Sequence, residues 1–279
     1  MKKLLLLGLV LILALSAFAL TGCGGDDAVE DDHAVSTDTE ETAALDPEVQ
    51  AIKDRGVLRV GVKSDVPGFG LLNPATNEFE GLEIEMAHAL AEEIIGDASA
   101  VEFTPVTADT RGTLLDNGQI DMVIATFTIK PERLEQWNFT APYYTDAVGL
   151  LVNKDSGVNS LEDLNGKKIG VALAATSKDA VEAAGAEEGW TFEFVEFNSY
   201  PEISTALAAG QIDAFSVDRS ILRGYLNTDR VLLDDEFSPQ DYGIATKLSN
   251  TGLAAYVDQF ISDIKSDGRL DEWIKTFNI

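Results

Sequence analysis

Lys63, Thr126, Thr128, Thr176 and Asp218 stand at or just past the ends of apolar segments that read as strands. Arg111 and Arg133 fall in the first turns of predicted helices, after Asp109-Thr110 and Ile129-Lys130-Pro131. A cation at a helix N-terminus opposes the macrodipole by roughly 0.3–1 kcal/mol. Each arginine therefore breaks a local rule, as functional residues do, or folds its side chain back over solvent. Cations, one carboxylate and several hydroxyls make a set suited to holding a small charged molecule. Groups for turnover are scarce. Of two histidines and one cysteine, only His88 lies in the body of the chain, inside Glu85-Met86-Ala87-His88-Ala89, and it reads as a helix-edge position. No Gly-x-Ser-x-Gly turn, metal-ligand cluster or phosphate loop appears, and Gly68-Phe69-Gly70 lacks the third glycine of a dinucleotide fingerprint. Asp218 is the one candidate base, and beside cations it should stay ionised and bind.

The elements that must position these residues repeat. Asn117-Gly118-Gln119-Ile120-Asp121 recurs as Ala209-Gly210-Gln211-Ile212-Asp213. Each copy follows a helical pattern (Thr113–Asn117 and Ile203–Ala209) that stops at the glycine, and each precedes an apolar strand, Met122–Phe127 or Ala214–Val217. Upstream, Val60-Gly61-Val62 is echoed by Ile169-Gly170-Val171. These lead into helices over Gly81–Ile95 and Ser177–Glu188, then strands over Val101–Val106 and Phe192–Phe197. Such alternation specifies two α/β lobes, each a mostly parallel sheet flanked by helices. Ligands of such sheets bind beyond the carboxyl ends of the strands, where Lys63, Thr126, Thr128, Thr176 and Asp218 stand. Thr126 and Asp218 occupy equivalent places, five residues after each aspartate.

The remainder of the chain is signal and spacer. Lys2 and Lys3 precede the apolar run Leu4 to Leu20, which ends in Leu20-Thr21-Gly22-Cys23. This resembles the bacterial lipoprotein lipobox, which implies a signal peptide over 1–22 and a lipid on Cys23. The other reading is an ordinary secretory signal with an incidental cysteine, or an uncleaved anchor. From Gly24 to Gln50 there are ten acids, one histidine (His33) and no Lys or Arg, so residues 23–50 read as a disordered, self-repelling tether. Residues 51–279 keep 38 acids against 18 bases, within a total formal charge of -28. That charge excludes nucleic acid as a partner.

Residues 56–279 resemble the family 3 extracellular solute-binding proteins of ABC transporters for polar amino acids. The matching segments are Gly56–Val62, Asn117–Arg133, Phe139-Thr140-Ala141-Pro142-Tyr143-Tyr144, Leu161–Val171, Gly210–Asp218 and Tyr242-Gly243-Ile244-Ala245. Gly61–Pro67, Thr110–Gly118 and Ala214–Asp218 read like the aspartate/glutamate-binding branch. The resemblance implies a type II periplasmic-binding-protein fold, with lobe 1 over 51–145 and 241–279, lobe 2 over 146–240, and a cleft between them. It implies that Arg133 takes an α-carboxylate, aided by Thr128 and Thr176, and that Asp218 accepts the α-ammonium. Thr126 lines the same cleft, Lys63 and Arg111 clamp a distal carboxylate, Phe69 covers the ligand's methylenes and Tyr200 supplies a phenolic donor. Ala125 stands where the family often has a second hydroxyl residue, and Leu82 replaces the usual aromatic after Gly81.

With Lys63, Arg111 and Arg133 against Asp218 alone, the site carries +2, which favours glutamate or aspartate over glutamine. The expected protein is thus an extracytoplasmic binder, lipid-anchored to the cell membrane. It captures an acidic amino acid by hinge closure near Tyr143–Gly149 and Gln240–Ala245 and hands it to a membrane permease. It is a monomer without cofactor or metal. The alternatives are a neutral-ligand binder such as one for glutamine, a sensor or adhesin module (disfavoured by the absence of a signalling domain before Ile279), and a dehydratase on the same fold. Trp137, Tyr143, Tyr144, Trp190 and Trp273 read as packing, and Lys130 and Glu132 as solvated.

Overall fold

The structure is a computed structural model that describes residues 45–279. The expected signal peptide, Cys23, His33 and most of the expected acidic tether lie outside the described residues. The boundary expected at residue 51 falls inside a helix. Pro47–Arg55 is a helix with Pro at its first turn and Glu48 facing the positive dipole end, and it buries Val49 and Ile52. The surrounding acids hid that three-residue apolar spacing.

Two sheets carry the described chain. The first runs in the order Val101–Pro105, Leu58–Val62, Met122–Ile124, Ala245–Lys247, Trp137–Phe139, with its first three strands parallel. The second runs Glu193–Phe197, Lys168–Ala172, Ala214–Asp218, Tyr144–Asn153, Arg230–Leu232, again with three parallel strands followed by an antiparallel one. A small antiparallel sheet, Asp65–Val66, Gly70–Leu72 and Phe79–Glu80, hangs beside the first. This is the two-lobed architecture expected from the repeat.

The repeated motif has a structural job in each lobe. The Asp121 carboxylate accepts the Arg59 N–H at 2.9 Å, and the Asp213 carboxylate accepts the Lys168 N–H at 2.9 Å. In return each aspartate donates its own N–H to the carbonyl of the same residue. Gly118 and Gly210 sit at φ +68° and +67°, the left-handed region where a side chain is strained. Ile120 and Ile212 lie over Gly61 and Gly170, where a Cβ would come within 2.6 and 2.4 Å of their Cδ1 atoms. The tetrapeptide and the Val-Gly-Val/Ile-Gly-Val pairs are thus one interlocking unit used twice.

Helix Leu82–Ile95 buries an apolar face against the first sheet, and Thr251–Ser266 covers the same lobe through Leu253, Val257, Phe260, Ile261 and Ile264. The two crossings between lobes run side by side: Tyr144 pairs with Tyr242, Thr145 with Asp241 and Asp146 with Gln240. Phe69 packs edge-on against Tyr144 and Tyr242 at 5.1 and 5.8 Å. It is fully buried at the hinge.

Candidate binding site

Lys63, Arg111, Thr126, Thr128, Thr176, Tyr200 and Asp218 are all buried at the seam between the sheets. Arg133 joins them from the helical turn Pro131–Leu134. The parallel strands deliver most of them: Lys63 follows Leu58–Val62, Asp218 closes Ala214–Asp218, and Thr126 to Thr128 follow Met122–Ile124. Thr176 precedes helix Ser177–Glu188 as its N-cap.

Arg111 enters from helix Thr110–Asp116 and turns inward rather than over solvent. Its Nη1 donates to the Ala125 carbonyl at 2.7 Å and the Thr126 carbonyl at 3.3 Å, and its guanidinium lies 3.7 Å over the Phe127 ring. Arg133 lies 4.9 Å over that ring and donates to the Thr128 carbonyl at 2.8 Å and, across the seam, to the Ala174 carbonyl at 3.1 Å. Burial lowers both guanidiniums from their ordinary range, Arg111 further through the charge of Arg133. Five N–H donors per guanidinium leave each with capacity for a ligand. Thr126 and Ala174 hold left-handed φ of +42° and +57°, strain of the kind that gathers at functional sites.

The carboxylates differ from expectation. Asp218 accepts the Tyr242 hydroxyl on Oδ2, while its buried Oδ1 has no protein partner. Burial pushes its carboxyl up to about 7. Two further acids belong to the site that sequence reasoning did not place there. Glu83 is fully buried; its Oε1 accepts the Thr126 N–H at 2.6 Å and the Tyr143 hydroxyl at 2.5 Å, and Oε2 is unpartnered. Burial raises it to about 7 as well. Asp65 places Oδ1 3.1 Å from Lys63 Nζ. Tyr143, read as packing, is thus also a polar contributor through Glu83.

Three buried acids therefore stand among three cations, and although Glu83 and Asp218 are pushed toward protonation, the charge of the site lies below the +2 counted from Asp218 alone. Glu83 escaped notice because an acid in a helix's first turn obeys the dipole rule that the arginines break. The signal that would have found it is its place on the apolar stripe of Met86, Ala87, Leu90 and Ile94. Gln240 was also missed. Its Oε1 accepts the Thr128 hydroxyl at 2.9 Å and the Thr176 hydroxyl at 2.7 Å, so the two hydroxyls expected to face a carboxylate donate here to a hinge amide.

The seam is closed over this cluster. Tyr200, from helix Tyr200–Ala208, puts its ring 4.4 Å from Lys63 Nζ, and Lys130 reaches Asp179 at 3.8 Å. A cavity of about 430 Å³ opens beside the cleft on Arg133, Thr176, Phe127 and Trp137, while Lys63, Arg111 and Asp218 lie outside its lining. Among the described residues no group of three or more His, Cys, Asp or Glu is placed to hold a metal, and no helix is long and apolar enough to cross a membrane.

Residues 58–278 match the family described as bacterial extracellular solute-binding proteins, family 3. The glutamine-binding protein of Geobacillus stearothermophilus is 41% identical over 244 residues, covering 85% of this chain and 90% of its own. The ABC transporter glutamine-binding protein of Bacillus subtilis (strain 168) is 36% identical over 282 residues, covering 99% and 98%. A solved ancestral arginine-binding protein bound to glutamine superposes with a TM-score of 0.71 at 32% identity, covering 80% of this chain and 98% of that one.

Proposed function

Since the chain belongs to the bacterial extracellular solute-binding proteins of family 3, we propose that it captures glutamine between its lobes and presents it to an ABC importer. The observation that carries this reading is that the cation expected to meet a distal carboxylate is already paired: Lys63 Nζ lies 3.1 Å from Asp65 Oδ1. A zwitterion with an uncharged side chain leaves that pair intact, whereas a second ligand carboxylate has to compete with Asp65 for Lys63 in a desolvated site. Arg133 takes the α-carboxylate through its free guanidinium N–H groups, and Asp218 Oδ1 takes the α-ammonium. Arg111 lies in Coulomb reach of Asp218, Lys63 and Glu83, and the ligand's side chain runs past it toward Lys63 and Asp65. Thr126, Thr128, Thr176, Tyr200 and Phe69 shape the walls. The glutamine-binding relatives support the same ligand.

Glutamate is the second reading, favoured by Lys63 and Arg111 standing at one end of the cleft. Isothermal titration with glutamine, glutamate, aspartate and arginine decides between them. Glutamine is expected to bind tightest, and Arg133→Ala is expected to weaken it by at least about 100-fold, near 2.7 kcal/mol. Binding that Arg133→Ala leaves unchanged removes the reading. The Leu20-Thr21-Gly22-Cys23 sequence supports delivery from a lipid anchor at the outer face of the cell membrane. Partition into detergent that is lost in Cys23→Ser is the expected result.

A further inference from the structure

Lys63 is 2% exposed, and its counterion is held from the opposite lobe. Asp65 lies in the two-residue strand Asp65–Val66, and its backbone carbonyl accepts the Tyr225 hydroxyl at 2.7 Å. Tyr225 follows helix Arg219–Arg223 of the second lobe. It is braced edge-on by Phe215 at 5.6 Å, which in turn meets Tyr200, the ring under Lys63, at 6.2 Å. One aromatic wall of the second lobe therefore holds both the lysine and the aspartate of the first. Asp65 Oδ1 is buried and, besides the ion pair, has no aligned donor. An amide brings N–H donors to such an oxygen; a carboxylate brings none and repels it.

We propose that Asp65, positioned by Tyr225 when the lobes meet, is the residue that makes the cleft take an amide rather than a carboxylate at the ligand's distal end. It does so by cancelling the charge of Lys63. The proposal rests on the glutamine reading above and deepens it. Neither residue touches Arg133 or Asp218 in the structure, so the effect belongs to the ligand's far end.

Isothermal titration of glutamine and of glutamate into the wild type, Asp65→Asn and Tyr225→Phe tests it, with thermal unfolding recorded for each. Asp65→Asn is expected to move the glutamine-to-glutamate affinity ratio toward glutamate by at least about tenfold. Tyr225→Phe should move it the same way by less. An aspartate that merely braces the fold would weaken both ligands by the same factor, and that outcome overturns the proposal. Should Asp65→Asn unfold, Asp65→Ser and Tyr225→Phe give the same comparison. A wild type that prefers glutamate, or binds neither ligand, instead refutes the glutamine reading.

Discussion

At the scale of single residues, Asp218 and Glu83 join the folded state to protons. Both carboxyls are lifted by burial to about 7, against roughly 4 in an unfolded chain. The folded protein therefore holds more protons than the unfolded one between about pH 4 and 7. This contribution to stability is complete below the unfolded values and is lost as pH rises through the folded ones. The unliganded protein should accordingly melt higher at pH 5.5 than at pH 8. An ammonium on Asp218 Oδ1 reverses the sense for binding, because it favours the ionised carboxylate and expels the proton. Glutamine affinity should fall as pH drops below about 7, by up to tenfold per unit for one proton. The measured enthalpy at pH 6.5 should vary with the ionisation heat of the buffer, and both effects should shrink in Asp218→Asn. A flat affinity from pH 5.5 to 8 would exclude Asp218 as the ammonium acceptor. Which residues were legible follows from the same electrostatics. Arg111 and Arg133 could be found because they stand against a helix dipole. Asp65 and Glu83 were lost among the many acids of the chain, and Gln240 carries no charge to betray it.

At the scale of elements, the repeat was legible because it is made of short-range constraints. A left-handed glycine ends a helix, an isoleucine caps a glycine in the neighbouring strand, and an aspartate closes an N–H at the start of that strand. Each is a contact between segments whose order the sequence displays. Strand ends were less legible: Met122–Phe127 was expected to be one strand, but pairing stops at Ile124. The left-handed Thr126 turns the chain there, so that its N–H meets Glu83 and its carbonyl meets Arg111. The two copies of the motif are not equally loaded. Asp121 binds the Arg55 and Arg59 side chains as well as the Arg59 N–H, whereas Asp213 binds the Lys168 N–H. Asp121→Ala should therefore cost about 2–3 kcal/mol and Asp213→Ala about 1 kcal/mol. For a chain this size, Asp121→Ala should depress the melting temperature by roughly 4–12 °C. Calorimetry that found the reverse order would show that the arginines, half-exposed, contribute little beyond solvent.

At the scale of the whole molecule, the cleft residues are sealed in. Lys63, Arg111 and Asp218 are at most 4% exposed, and the seam is held by Arg133 on Ala174, Tyr225 on Asp65 and Lys130 on Asp179. A ligand cannot reach Asp218 through this arrangement, so capture requires the lobes to part about the paired crossings at Tyr144 and Tyr242. An equilibrium of this kind shifts only by what the ligand gains in one state over the other. Under the proposed reading, glutamine would satisfy that condition by joining Arg133 of one lobe to Asp218 of the other. The closed contact between Pro67 and Gly224 offers a direct test. A Cβ on Gly224 would stand 3.2 Å from the Pro67 Cβ, about half an ångström short of the usual disulfide separation, and Gly224 has an ordinary φ of -66°. In a Cys23→Ser background, Pro67→Cys with Gly224→Cys should form a bond on oxidation. Oxidised without ligand, the protein should bind no glutamine, and reduction should restore it. Oxidised with labelled glutamine present, it should carry the label through gel filtration. Uptake by the oxidised, ligand-free protein at the wild-type rate would mean that entry does not pass through the seam, and hinge opening would have to be abandoned as the route of capture.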